Sequence, residues 1–408
     1  MKLTGPFKQL LTMDHLPDKG HLSDEQLEII PDAGILHSEG KIIATGSFNQ
    51  LKEQYSMASV EWLEGDYVAL PGMIDVHTHI CWAGTRANDY AMRMSGKSYL
   101  EIEAMGGGIW DTVMKTRLST MEELADMTEQ RASKLLTMGI TTIEVKSGYG
   151  LSVEQELKIL SAIDFANKRS TADLVTTCLA AHILPKDFKG NETEYLQHII
   201  DKLLPEVKKL KLANRVDIFV EKSAFSLQAA KIYLQKAKEL GFDIVLHGDQ
   251  FTTGAATLAN EINAISIDHL EAANDQEIEI LSTGNVIPVV LPGASIGLGE
   301  PFAPARKLLD AGTSLVIASD WNPGSAPMGN LLTEAAILGT FEKLTMSEVW
   351  AALTCRAANA LQKTDRGVLK PGYLSDIIAF KTSDYREILY RQGQLKAGMV
   401  WKKGELVI

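Results

Sequence analysis

Cysteine is scarce: Cys81, Cys178 and Cys355 are the three in a chain of 408 residues. An odd number, widely spaced, sets up no disulfide framework, and a reducing cytoplasm is the expected compartment. Long apolar runs are missing as well. The longest are strand-sized, well short of the ~20 residues that a membrane-spanning helix needs. Residues Met1-Lys2-Leu3-Thr4-Gly5-Pro6 lack the apolar stretch of a secretory signal. Basic runs are short and the net charge is −12, which speaks against nucleic acid or an anionic membrane as partner. A small anionic substrate stays open, because it needs only a locally positive pocket.

What is present is 45% hydrophobic and 23% charged, the balance of a globular protein. Residues 1–68 show short β-type pieces at 7–13, 33–36, 41–44 and 60–62, with Glu39-Gly40 as a hairpin turn. From residue 69 apolar strands alternate with amphipathic helices. Eight strand candidates follow at 70–79, 141–147, 174–181, 216–220, 244–248, 264–270, 286–291 and 315–320. Helices fall between them, as at 153–168, 192–210 and 227–240. The last has Ser226 as N-cap and Gly241 as a stop. Eight such alternations suggest a (β/α)8 TIM-like barrel over 69–363. After residue 363 the texture turns β-rich again, at 376–380 and 399–402. The two chain ends, 1–68 and 364–408, are therefore expected to build one small β-sandwich domain together.

In such a barrel, chemistry sits at the C-terminal ends of the strands. Pro71-Gly72 leads into Met73-Ile74-Asp75-Val76-His77-Thr78-His79. On a strand, His77 and His79 point the same way, about 6–7 Å apart in Cα. An isolated H-x-H is more often two solvated histidines. Here His182, His247 and His269 also end predicted strands, so five of the nine histidines gather at one rim. His15, His21, His37 and His198 do not, and read as surface or locally hydrogen-bonded residues. His77, His79 and His247 with Asp320, at the end of the last strand, make an N3O donor set for one Zn²⁺ or Fe ion. Such an ion supplies a hydroxide near neutral pH. Glu221 and Lys222 at strand four are weak candidates for bridging a second ion, so a single metal is expected.

These residues resemble the amidohydrolase superfamily in Pro71 to His79, and within it the imidazolonepropionase family. Gly84-Thr85-Arg86, Met92-Arg93, Gly106-Gly107-Gly108-Ile109, Lys146-Ser147-Gly148-Tyr149-Gly150, His247-Gly248-Asp249-Gln250, Asp268-His269-Leu270 and Asn322-Pro323-Gly324-Ser325 carry the closer likeness. The resemblance implies hydrolysis of an anionic imidazolone, 4-imidazolone-5-propanoate, to N-formimidoyl-L-glutamate. It implies the same four metal ligands. Substrate contacts would come from Arg86, Tyr149, His182, Gln250 and Ser325, and product contacts from Asn322 and Gly324. Proton transfer would fall on Asp320 and His269, with His182 or His269 helping to hold the oxyanion. It also implies a homodimer. Many relatives carry glutamate where this chain has Gln250, and an amide cannot shuttle a proton. Two other readings compete. One is an aminohydrolase of a purine, pyrimidine or triazine ring, and the other is a non-catalytic scaffold or binding protein.

Overall fold

The computed structural model describes residues 1–97, 101–102 and 105–408. Among them, two sheets of eight strands each organise the chain.

The first sheet is made from both chain ends. It contains β1 (Lys2–Leu11), β2 (Ile29–Ser38), β3 (Lys41–Ser47), β4 (Ser59–Trp62) and β5 (Val68–Pro71). The strands β14 (Ile377–Phe380), β15 (Ala397–Lys402) and β16 (Glu405–Leu406) complete it. Its order is β16-β15-β14-β5-β1-β2-β3, with β4 pairing β1. The sandwich expected from the sequence is thus one continuous sheet that curls on itself. The curl brings the β2–β3 turn against the segment entering β14, where Ser375 N donates to Gly40 O at 2.9 Å. Phe7, Ile35, Ile42, Ile377 and Trp401 share the core that the curl encloses.

The second sheet is the barrel: β6 (Met73–Asp75), β7 (Ile140–Lys146), β8 (Asp173–Ala181), β9 (Arg215–Val220), β10 (Asp243–Gly248), β11 (Ser266–His269), β12 (Ile287–Val290) and β13 (Val316–Ile317). Every neighbouring pair is parallel. That is the geometry that helical crossovers impose, and such strands read as apolar runs because both faces are covered. The ring closes where Asp320 N donates to His77 O at 2.9 Å and His79 N to Trp321 O at 3.0 Å. The closing seam therefore runs through three of the four expected metal ligands.

Two departures from the sequence reading have local causes. The expected first strand, 70–79, is divided at Gly72. Val68–Pro71 pairs with β1 and β14, and only Met73–Asp75 enters the barrel. A Cβ at Gly72 would lie 2.3 Å from Thr141 Oγ1, so the crossing from one sheet to the other admits no side chain there. The expected helix 192–210 is interrupted by a π-helical turn, Ile199–Leu203, before it resumes as Leu204–Leu210. Pro205 sits in the first turn of the resumed helix. Lacking an N–H and crowding the carbonyl four residues back, it forces the ladder to widen upstream. The helix Leu227–Glu239 starts at Ser226, whose hydroxyl accepts from Ala229 N at 3.3 Å. Among the described residues, no helix is long and apolar enough to cross a membrane.

Candidate active site

At the C-terminal mouth of the barrel four donors converge. His79 Nε2 lies 3.2 Å from His77 Nε2 and 3.4 Å from His247 Nε2. Asp320 Oδ1 lies 3.4 Å from His77 Nε2 and 3.3 Å from His79 Nε2. Donors at the corners of a tetrahedron around zinc, each about 2.0–2.1 Å from the ion, stand about 3.3–3.4 Å from one another. These four of the six spacings match, the three histidine nitrogens lie within 4.8 Å of one another, and all four residues are buried. Three imidazole nitrogens and a carboxylate oxygen this close together are a donor set that a divalent cation fits. The three histidines form one of two groups among the described residues that could hold a metal.

Carboxylates behind the rings fix which nitrogen faces the centre. His77 Nδ1 is 2.7 Å from Asp268 Oδ2. His247 Nδ1 is 3.0 Å from Asp217 Oδ2, at a skewed angle. Both leave Nε2 for the ion. Burial and Lys146 work against a charged His77, but Asp268 and Asp320 outweigh them and lift its pKa to about 9. Burial prevails at His79 and His247, which are pushed down and stay neutral. Asp320 is held well below the usual carboxylate range; burial would raise it, but His77 and His79 overcome that.

The mouth opens into a cavity of about 690 Å³, lined by His79, His247 and Asp320 and also by Arg86, Tyr149, His182, Gln250, His269, Asn322 and Ser325. Gly324 lies just behind Arg86: a Cβ there would be 2.2 Å from Arg86 Nη1. Arg86 is steered by Asp89, whose Oδ2 accepts from Arg86 Nε at 2.8 Å and from Gly108 N at 2.8 Å. Asp89 was not singled out from the sequence. Its signal was the i,i+3 spacing from Arg86 at the start of the helix Ala87–Met94.

The loop bearing Tyr149 is held by Glu156, whose carboxylate accepts from Gly148 N, Gly150 N and Leu151 N at 3.2, 2.7 and 2.8 Å. Gly148 has φ +110°, and a Cβ on it would meet Leu179 O at 2.9 Å. Lys-Ser-Gly-Tyr-Gly is therefore a tight turn wrapped around a buried carboxylate. His182 Nδ1 is 3.1 Å from Gly148 O. A carbonyl only accepts, so Nδ1 carries the proton. Burial, reinforced by His79, pushes His182 down to about 3, leaving it neutral with a bare Nε2. That tautomer has no proton to offer an oxyanion, contrary to the role expected of His182. His269 Nδ1 stands 3.4 Å from Glu271 Oε1 and Oε2. His269 and Leu270 both have positive φ, 93° and 72°. Strain of that kind at bulky residues collects at functional sites.

Asn322 turns out to be a loop organiser. Its Oδ1 accepts from Gly324 N and Ser325 N at 2.7 and 2.9 Å, and its Nδ2 donates to Asp320 O and Ser325 Oγ at 2.7 and 2.9 Å. A primary amide has two donors and two lone pairs, so none remains for the product contact expected of it. Gly324 N is likewise engaged by Asn322. Ser325 Oγ donates to Asp320 Oδ2 at 3.3 Å, orienting the fourth metal donor. Glu221 is occupied by Phe251 N and Thr252 N, at 2.9 and 3.0 Å.

Comparison with known proteins identifies the family. The sequence profile described as "Amidohydrolase family" matches residues 100–408. The chain belongs to the amidohydrolase family. Curated relatives include imidazolonepropionases of Bacillus cereus (strain G9842) and Bacillus cytotoxicus, each 38% identical over 404 residues, 98% of this chain and 94% of theirs. Among solved structures, a triazine hydrolase from Arthrobacter aurescens superposes with TM-score 0.72 at 16% identity, covering 100% of this chain and 94% of that one. Guanine deaminase from C. acetobutylicum, with bound guanine, gives 0.69 at 14% identity and covers 100% of each chain. At those identities the two structures speak for the amidohydrolase barrel alone.

Proposed function

We propose that this amidohydrolase is a metal-dependent hydrolase of 4-imidazolone-5-propanoate, opening the ring to N-formimidoyl-L-glutamate. The full-length likeness to imidazolonepropionases supports the reaction. The observation that carries it for this chain is the single cavity that joins the four-donor nest to an arginine anchored for a carboxylate. Zinc or iron suits three imidazoles and one carboxylate, and when bound it would lower the pKa of a water and polarise the ring carbonyl.

The chain's own residues do the rest. Asp89 holds Arg86 by Nε, which turns the guanidinium's Nη edge toward the propanoate for charge-assisted hydrogen bonds. The Tyr149 hydroxyl, its pKa raised by burial and by Asp320, stays protonated and donates to the same carboxylate. The bare Nε2 of His182 accepts a ring N–H and so fixes which face of the ring meets the nest. His269, backed by Glu271, receives the proton of the attacking water at Nε2. His269 then gives that proton to the departing ring nitrogen, and Asp320 Oδ2, already met by the Ser325 hydroxyl, accepts the remaining water proton as the ring carbonyl becomes a carboxylate. Gln250 lines the cavity and serves as a polar contact, an amide being unable to move protons.

One alternative on the same barrel is an aminohydrolase of a neutral heterocycle. Loss of the imidazolone absorbance should be followed with metal-loaded and chelated protein, alongside ammonia release from guanine and adenosine. Metal-dependent loss of the chromophore without ammonia supports the proposal. Ammonia from a purine, with the imidazolone untouched, overturns it.

A further inference from the structure

Beneath the imidazoles lies a second layer of charge, wholly buried. Lys146 Nζ is 2.9 Å from Glu144 Oε2, 2.8 Å from Asp217 Oδ2 and 3.2 Å from Asp268 Oδ2. No side chain of these four is more than 1% exposed. The ammonium donates one hydrogen bond, to Asp217 Oδ2, and forms ion pairs with the carboxylates of Glu144 and Asp268. Two of the three acids also face the metal-binding rings, Asp268 at His77 and Asp217 at His247.

The second group able to hold a metal consists of Asp217, His247 and Asp268. Lys146 Nζ already lies between both of its carboxylates, hydrogen-bonded to Asp217 and ion-paired with Asp268. We propose that Lys146 is the barrel's built-in second cation. It takes the place that another divalent ion would otherwise occupy, limits the mouth to one metal, and aims Asp217 and Asp268 at the rings that hold it. This rests on the metal-binding reading of the mouth and not on the choice of substrate.

Charge balance points the same way. The buried layer holds Glu144, Asp217 and Asp268 against Lys146 and Arg215, whose Nε lies 3.2 Å from Glu144 Oε1. Three negative and two positive groups leave one negative charge, and Asp320 makes it two. One divalent ion offsets that charge, whereas a second would add two more positive charges to a dry interior, a costly arrangement. The layout also sorts the acids. Asp268 and Asp217 each touch Lys146 and a metal-binding ring. Glu144 is held by Lys146, Arg215 and the Thr177 hydroxyl, with no bond to a ring among the described contacts.

The test uses the full-length protein stripped of metal and titrated with Zn²⁺ alone, by calorimetry and by competition with a chromophoric chelator. Wild type should take up one tight equivalent. Lys146→Met and Asp268→Asn should each weaken zinc binding about 10–100-fold, the usual effect of losing a ligand's supporting partner. Both should also shift the visible spectrum of the cobalt-loaded protein. Glu144→Gln should stay within about threefold by the same reasoning. A purely structural role would lower thermal stability in all three variants and leave zinc affinity and the cobalt spectrum unchanged. Two tight equivalents in wild type, or wild-type affinity in Lys146→Met, overturns the proposal. If Lys146→Met does not fold, the wild-type stoichiometry and Asp268→Asn decide in the same terms. No readout involves the imidazolone, so failure of the substrate assignment and failure of this proposal are seen separately.

Discussion

Gly324→Ala is the sharpest test of how the cavity holds an anion. The added Cβ would lie 2.2 Å from Arg86 Nη1 and 2.9 Å from its Cζ. Non-bonded heavy atoms settle at about 3.5 Å, so the two sides must separate by more than about 1 Å. The backbone cannot supply that movement, because Gly324 N and Ser325 N are both tied to Asn322 Oδ1. Arg86 must move, and Asp89 holds it at Nε. A displacement of this size disrupts a charge-assisted hydrogen bond worth about 1.5–3 kcal/mol. That converts to a loss of roughly 10–100-fold in kcat/KM for the propanoate substrate, at about 1.4 kcal/mol per factor of ten. The loss should fall mainly on KM, since the metal donors lie elsewhere. Steady-state kinetics measures it, with zinc content and thermal stability as controls. If kcat/KM remains within twofold of wild type while the protein stays zinc-loaded, Arg86 does not hold the carboxylate.

Other outcomes follow from the same geometry. Asp89→Asn should raise KM about tenfold with little change in kcat, because the charged acceptor that steers Arg86 is lost; an unchanged KM removes Asp89 from the account. His77 holds a proton in the metal-free protein up to about pH 9 and must release it to bind metal. Zinc affinity should therefore rise by about tenfold per pH unit from neutrality toward pH 9 and then flatten; a chelator competition that is level from pH 7 to 8 contradicts this. Glu156→Gln keeps shape but faces three N–H donors with one oxygen and an NH2 group, a cost of about 1–3 kcal/mol. A lower urea midpoint and weaker turnover should appear together, because the same loop carries Tyr149.

How much of this could be read from the chain follows from strand periodicity. His77, His79, His247 and Asp320 were legible because they end apolar strands, where a polar residue has no structural excuse. The layer beneath them was not. Glu144 and Lys146 alternate with Thr142 along β7, and Asp217 sits mid-strand between Val216 and Ile218. By pattern alone, charged residues at every second position mark a solvated face, and only a closed ring of strands turns that face inward. Closure itself was hidden as well. It depends on main-chain bonds from His79 and Asp320, which no side-chain pattern records. The positive φ of His269 and Leu270 was equally invisible, since neither residue type favours it.

The choice between a cyclic amide with an anionic tail and a neutral heterocycle turns on how many cations the cavity leaves available. Arg86, Arg93, Lys97 and Lys186 line it, and Lys97 Nζ lies 3.4 Å from Glu101 Oε1 near the exposed rim. Arg93 gives its terminal nitrogens to main-chain carbonyls, Gly297 O and, at 3.3 Å, Gly324 O. It therefore ties the Asn-Pro-Gly-Ser loop to the helix Pro292–Leu298. Among the described residues Arg86 is fixed through Nε, with its Nη edge beside Gly324. Holding a guanidinium rigid over an apolar wall, with a buried aspartate dedicated to it, stabilises nothing in a site that takes a neutral ring. Asp89 already offsets the charge, so what remains for a ligand is the Nη edge, whose N–H donors a neutral ring would leave poorly met. A carboxylate meets them as a bidentate acceptor, and the propanoate side chain brings one.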